Sequence, residues 1–242
     1  MANLLIEIGN TALKAAWSEG MTLGKTFRYQ GERRISFILS LTEKEKPAVL
    51  VVASVFELTP TDEKRLSKVC SRLMILDSSH TELLRQHSIP EYLTYDRAAA
   101  LIAARYLFKG KGCTLVDFGT TLSVDFLSPE GEYLGGNVSL GCRTRFKALN
   151  RYSKALPLVN MPTDIKKEGN SVAESIESGV ITGIMFEIKG YAASRPDNVV
   201  IFTGGDANYF AKRMKKPIFV ICNMVLMGLA LITSEYEKED IQ

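Results

Sequence analysis

Short apolar runs recur through the chain and stop at an acid, a glycine or a hydroxyl residue. Leu4-Leu5-Ile6 runs into Glu7, then Gly9-Asn10-Thr11, and an extended piece continues through Trp17. Cys113–Val116 stops in the same way at Asp117, followed by Gly119-Thr120-Thr121 and an alternating segment to Phe126. A turn at Ser128–Gly131 and a third extended piece ending in Gly135-Gly136 complete a strand-turn-strand-turn-strand pattern. Further strands are predicted at Thr26–Gln30, Leu73–Leu76, Val199–Phe202 and Pro217–Ile221, and Pro47–Phe56 reads as a strand buried on both faces.

Helical spacing takes over elsewhere: Arg33–Leu41, with Ile35, Ile38 and Leu39 on one face, then Thr61–Cys70, Thr81–Gln86, an alanine-rich Ala98–Leu107, and Arg143–Asn150. Ser171-x-x-Glu174 opens a helix to about Tyr191, and a last helix starts near Cys222. Gly179 and Gly183, one turn apart, leave room there for another element or a ligand. Each half is a run of strands followed by alternating helix and strand, with mixed central sheets flanked by helices, so the class is α/β. Gly110-Lys-Gly112 places the lobe boundary, giving lobes 1–112 and 113–242.

The two acid-x-Gly turns lie 110 positions apart (117 − 7). A glycine with small hydroxyl residues lets backbone N–H groups approach a polyphosphate, and the carboxylate at the strand end can hold magnesium directly or through water. Lys14 adds a positive charge nearby. Either turn alone is equally a hairpin with a solvated acid; the pair points to a duplicated nucleotide-binding half.

Composition narrows the rest. A hydrophobic content of 46% with 24% charged residues is ordinary for a globular protein. The net charge of +3 and the absence of a basic tract beyond Lys166-Lys167 and Lys212–Lys216 argue against nucleic-acid binding. Cys70, Cys113, Cys142 and Cys222 have no metal-ligand spacing, and His80 and His87 are too few for a histidine site. No signal peptide or membrane-length apolar run is seen, so a cytoplasmic protein with free thiols, not bound to membrane, is expected. Residues 237–242 are expected to fray.

These motifs, taken in order over nearly the whole chain, resemble type III pantothenate kinase of the actin-like ATPase superfamily. Glu7-Ile-Gly-Asn-Thr11-x-x-Lys14 is similar to the family's first phosphate motif, Asp-x-Gly-Asn-Thr-x-x-Lys. Asp96-Arg97 stands at the Gly-x-Asp-Arg motif, Asp117-Phe-Gly-Thr-Thr121 with Asp125 at the second phosphate motif, and Gly135–Gly141 at Gly-Gly-x-Ile-x-Pro-Gly. Thr203-Gly204-Gly205-Asp206 matches a late Thr-Gly-Gly-Asp segment. The resemblance implies two ribonuclease-H-like lobes with an ATP cleft between them, a homodimer, and phosphorylation of pantothenate to 4'-phosphopantothenate, the first step of coenzyme A biosynthesis. It implies ATP with Mg2+ at Glu7, and a monovalent cation, K+ or NH4+, at Asp117. Asp96 would be the catalytic base. Gly9, Asn10, Thr11, Lys14, Gly119, Thr120, Thr121, Gly204 and Gly205 would hold the triphosphate, and Thr94, Tyr95, Arg97, Gly136 and Val172 would line the substrate. From the residues alone, Asp96 and Asp206 are equally helix N-caps, and Ser171 is a cap rather than a ligand.

The chain departs from the family pattern near the reacting end. Glu7 replaces Asp, Thr94 stands for the opening Gly, and Leu140 replaces a proline. Val172, by its spacing to Ser178-Gly179, replaces a substrate-contacting threonine unless it packs on Ile176, and His87 stands near the place of a substrate tyrosine. Two alternatives therefore stay open: a non-catalytic nucleotide-binding relative acting as a transcriptional accessory factor, and a kinase for another small hydroxylated acid.

Overall fold

Alternation and turn chemistry produce two antiparallel hairpins at the start of the chain, β1 (Asn3–Ile8), β2 (Leu13–Glu19) and β3 (Thr22–Tyr29). The computed structural model describes residues 2–80, 82–215 and 217–239, so Met1, Thr81, Lys216 and residues 240–242 lie outside the described residues. α1 (Arg34–Leu41), β4 (Val49–Ser54), α2 (Pro60–Ser67), β5 (Arg72–Leu76), α3 (Glu82–Gln86) and α4 (Tyr95–Leu107) follow. The sheet order is β3-β2-β1-β4-β5, with β4 parallel to both β1 and β5. All six residues of β4 are buried, which is what its unbroken apolar run requires. Leu4, Ile6, Leu50 and Val52 meet Ile38 of α1 and Leu66 of α2 on one face. α2 is opened by Thr59, whose hydroxyl accepts the Asp62 N–H at 3.2 Å, with Pro60 in the first turn.

The second sheet repeats the plan with β6 (Cys113–Phe118), β7 (Thr121–Leu127) and β8 (Tyr133–Leu140), then α5 (Cys142–Tyr152), α6 (Val172–Ser194), β9 (Val199–Gly204), α7 (Ala207–Ala211) and β10 (Ile218–Val220). Its order, β10-β9-β6-β7-β8, is the first order read from the other edge. Among the described residues there are thus two five-stranded mixed sheets of ribonuclease-H-like topology. Val116, Phe118 and Val124 pack with Phe146 of α5, Ile181 and Ile184 of α6 and Phe210 of α7. β8 does not end at the glycine pair as expected. Gly135 adopts φ +113°, and a register shift between Phe126 and Leu127 accommodates it, so pairing continues to Leu140.

The last helix, α8 (Met224–Glu239), belongs with the first unit. The compact units are 1–107 with 223–242, and 108–222, whereas lobes of 1–112 and 113–242 were expected. The reason is packing. The buried alanines of α4 offer a shallow face, and at Gly228 even a methyl group would lie 1.9 Å from the Ala99 carbonyl oxygen, so α8 seats directly on α4. No helix among the described residues is long and apolar enough to cross a membrane.

Candidate active site

In the first unit, Glu7 is the penultimate residue of β1 and pairs in register with Lys14 of β2. The Lys14 ammonium lies 3.1 Å from both carboxylate oxygens. Burial pushes the Glu7 carboxyl above its ordinary value of 4.5, Lys14 pulls it back, and the charge of Asp96 adds a smaller upward push. Glu7 is thus paired with Lys14 and feels the charge of Asp96. A carboxylate at this strand end fits Mg2+ held by one or two carboxylates plus phosphate oxygens. The described residues contain no group of three or more metal-binding side chains, so any such ion would need ligands from a nucleotide or water. The turn after β1 is closed by the Gly9 N–H on the Ala12 carbonyl at 3.0 Å, with Asn10 and Thr11 at its tip.

Asp96 is not the N-cap of its helix. α4 starts at Tyr95, and the Thr94 carbonyl accepts the first intrahelical bond from the Ala98 N–H at 3.0 Å, so the capping position is Thr94. Asp96 sits one residue inside and accepts the Arg97 N–H at 2.9 Å. Tyr95 turns inward: it is 5% exposed, and its hydroxyl has no hydrogen-bond partner among the described residues, so only its backbone remains to face a substrate. His87 points toward α8, with Nε2 3.4 Å from Glu235, while its carbonyl accepts from Arg105, nine residues along α4 from Asp96.

The second unit carries its own constellation. Asp117 is the penultimate residue of β6, as Glu7 is of β1. Its Oδ1 would lie 2.2 Å from a methyl group placed at Gly204 and 3.9 Å from one at Gly119, so those two glycines flank the carboxylate. Gly204 has φ +89° and also crowds the Phe118 backbone. The Gly119-Thr120 turn is pinned from α5: the Thr120 carbonyl accepts the Gly141 N–H at 3.0 Å and the Thr144 hydroxyl at 2.7 Å. A side chain at Gly141 would overlap the Gly119 carbonyl at 2.1 Å. Sequence reading missed Thr144 because it began the helix at Arg143; Gly141 followed three residues later by a hydroxyl is the signal that marks it. Asp206 does not cap α7 through its side chain; its carboxylate lies 3.8 Å from the Arg143 guanidinium. Asp125 is 1% exposed in the middle of β7, where the Tyr133 hydroxyl donates to it at 3.1 Å.

A sequence model described as type III pantothenate kinase matches residues 3–194. The chain belongs to the type III pantothenate kinase family. Among its curated relatives, the enzyme so named from Bacteroides fragilis is 34% identical over 233 residues, covering 94% of this chain and 95% of the relative. Two solved structures share the fold. One, titled a conserved putative Baf family transcriptional activator from Campylobacter jejuni, has a TM-score of 0.67 at 21% identity and covers 97% of this chain and 99% of its own. The other, the activator of a 2-hydroxyisocaproyl-CoA dehydratase from Clostridium difficile with bound ADPNP, has a TM-score of 0.58 at 14% identity, covering 99% and 97%. These structures share the fold of two mixed α/β units, and by its family the chain is a kinase.

Of the positions that depart from the family pattern, Thr94, Leu140 and Val172 are exposed, whereas Glu7 and His87 are half-buried. Thr94 is exposed, Leu140 is 47% exposed at the end of β8, and Gly136 is exposed opposite the buried Asp125. Val172 is the first residue of α6 and 54% exposed, whereas Ile176 is buried, so Val172 does not lie on the apolar side of its helix. Ser171 caps that helix, accepting the Glu174 N–H at 3.2 Å, while Glu174 accepts the Asn170 N–H at 2.9 Å. Gly179 faces open space, and nothing nearer than the Arg145 guanidinium at 4.0 Å approaches Gly183, so no other element of the described residues packs closely against the two glycines. Because Val172 is exposed, Val172→Thr should leave the melting temperature unchanged. If the position contacts substrate, the added hydroxyl should lower the pantothenate KM several-fold, in line with about 1 kcal/mol for one net hydrogen bond, and leave the ATP KM alone. Steady-state kinetics of the variant decide it, and an unchanged pantothenate KM removes position 172 from the substrate site.

Proposed function

We propose that this protein transfers the γ-phosphoryl group of ATP to the terminal hydroxyl of pantothenate, giving 4'-phosphopantothenate and ADP at the first step of coenzyme A biosynthesis. The observation that carries the reading is the grouping of Glu7, Lys14 and Asp96 in a chain of this family. Phosphoryl transfer needs positioning and charge neutralisation more than covalent chemistry. Asp96, held at the first turn of α4, accepts the proton as the pantothenate oxygen attacks the γ-phosphorus and the bond to the ADP oxygen breaks. Arg97, adjacent on the same turn, pairs with an anionic oxygen of substrate or phosphate. The Gly9–Thr11 turn offers backbone N–H groups and hydroxyls to the triphosphate; within the second unit the Gly119–Thr121 turn, beside Gly204 and Gly205, offers the same kinds of donor. Glu7 would hold Mg2+, which would supply charge neutralisation when bound, and Lys14 would share its charge between Glu7 and the phosphates.

Asp117 is assigned to K+ or NH4+. Its carboxylate, at the end of β6 and flanked by Gly204 and Gly119, supplies a fixed negative charge for such an ion. Asp117→Asn keeps the shape but removes the fixed charge. Half-saturating potassium should rise several-fold or more in a titration of activity, and identical half-saturation would move the ion elsewhere. A homodimer is the assembly we assign, supported by the exposed apolar side chains Leu134, Val138 and Leu140 of the edge strand β8. The cytoplasm is its assigned compartment.

A coupled ADP-release assay tests the reading. ADP should appear only with pantothenate and Mg·ATP together, faster with potassium. Mg·ATP binding without ADP release would favour the nucleotide-binding relative. ADP release driven by another small hydroxylated acid in preference to pantothenate would change the substrate.

A further inference from the structure

The first residue of α1 reaches back to the first phosphate turn. Arg34 donates from Nη2 to the Asn10 carbonyl at 3.2 Å, at the tip of the turn that the Gly9–Ala12 hydrogen bond closes. A trans peptide plane holds its carbonyl and its N–H on opposite sides. Fixing the Asn10 carbonyl toward α1 therefore directs the Thr11 N–H the other way. A half-turn rotation of that peptide would exchange a donor for a carbonyl oxygen and repel an anion.

Arg34 is itself held in place. Its guanidinium carbon lies 5.4 Å from the centroid of the Phe56 ring, within reach of a cation–π attraction. The Phe56 N–H in turn donates to the Ser54 hydroxyl at 3.1 Å, at the end of β4. Arg34 and Phe56 line a pocket of about 330 Å3 together with Ile8, Ile35 and Ser54, so the end of β1 and the start of α1 meet at one place. A lysine there would keep the charge but lose the planar fork that stacks on a ring while donating sideways.

We propose that Arg34 is a positioning residue: by holding the Asn10 carbonyl it keeps the Thr11 N–H turned to donate to a polyphosphate oxygen. The inference rests on reading residues 9–12 as the ATP phosphate turn. Arg34 acts through the peptide and not by touching substrate, so its loss falls on nucleotide affinity alone.

The test is steady-state kinetics and thermal melting of Arg34→Met and Arg34→Lys beside the wild type. Methionine keeps an unbranched stem over Phe56 and removes the donors. The KM for Mg·ATP should rise about three- to ten-fold in Arg34→Met, the range expected for one hydrogen bond, with the pantothenate KM and the melting temperature unchanged. Arg34→Lys should fall between the two. An ATP KM equal to wild type in both variants overturns the inference while leaving the phosphate-turn reading standing. Both KM values and the melting temperature moving together would reduce Arg34 to a structural contact and also overturn it. A wild-type protein whose activity does not saturate with Mg·ATP would bring down the turn reading and the inference together.

Discussion

Asp96→Asn is expected to lower turnover by roughly two or more orders of magnitude, the loss typical when a positioned general base is removed. The fold should survive. Asn offers the same Oδ1 to the Arg97 N–H, and Thr94, not Asp96, carries the first intrahelical bond. What Asn gives up is the favourable meeting of a carboxylate with the helix N-terminus, about 0.3–1 kcal/mol. Removing the Asp96 charge also takes one upward push off the Glu7 carboxyl, so Mg·ATP binding should change little. Turnover, Mg·ATP affinity and the melting curve measured on one preparation separate chemistry from folding. Turnover within about three-fold of wild type would reduce Asp96 to a residue that favours the helix end.

The second large effect is on stability. Gly204 sits at φ +89°, where a side chain is strained by about 1–3 kcal/mol. A methyl group there would also lie 2.2 Å from Asp117 Oδ1 and 2.7 Å from both the nitrogen and the oxygen of Phe118, and such overpacking costs about 1–3 kcal/mol more. Gly204→Ala should therefore lower the melting temperature by roughly 5–15 °C in a chain of this size. Gly205 is the built-in control: a methyl group at that neighbour meets nothing within 4 Å, and Gly205→Ala should melt close to wild type. Equal melting temperatures for the two variants would contradict the geometry at the end of β9.

Why one of these glycines is demanding and the other is not could not be read from Thr203-Gly204-Gly205-Asp206 itself. Only the parallel pairing of β9 with β6 places Gly204 beside Phe118 and Asp117. Local patterns were legible where one strand or helix decides its own state. The buried run of β4, the hairpins of β1–β2 and β6–β7, and the cap at Ser171 all follow from short-range chemistry. Long-range choices were not. An apolar last helix could have covered either sheet, and it joins the first unit because the alanines of α4 and Gly228 allow close approach. Asp96 read equally as the cap, but the burial of Tyr95 sets the helix to start behind Thr94, two residues earlier. Arg34 gave no signal at all, since its partner Asn10 lies 24 residues earlier and accepts through its backbone.

The most direct test of the account is the product itself. Pantothenate, Mg·ATP and potassium are incubated with the purified protein, and the mixture is followed by phosphorus NMR with mass spectrometry. The account predicts one phosphomonoester of pantothenate for each ADP formed, and loss of both signals in Asp96→Asn. ADP without the ester, or bound Mg·ATP with neither product, would contradict it.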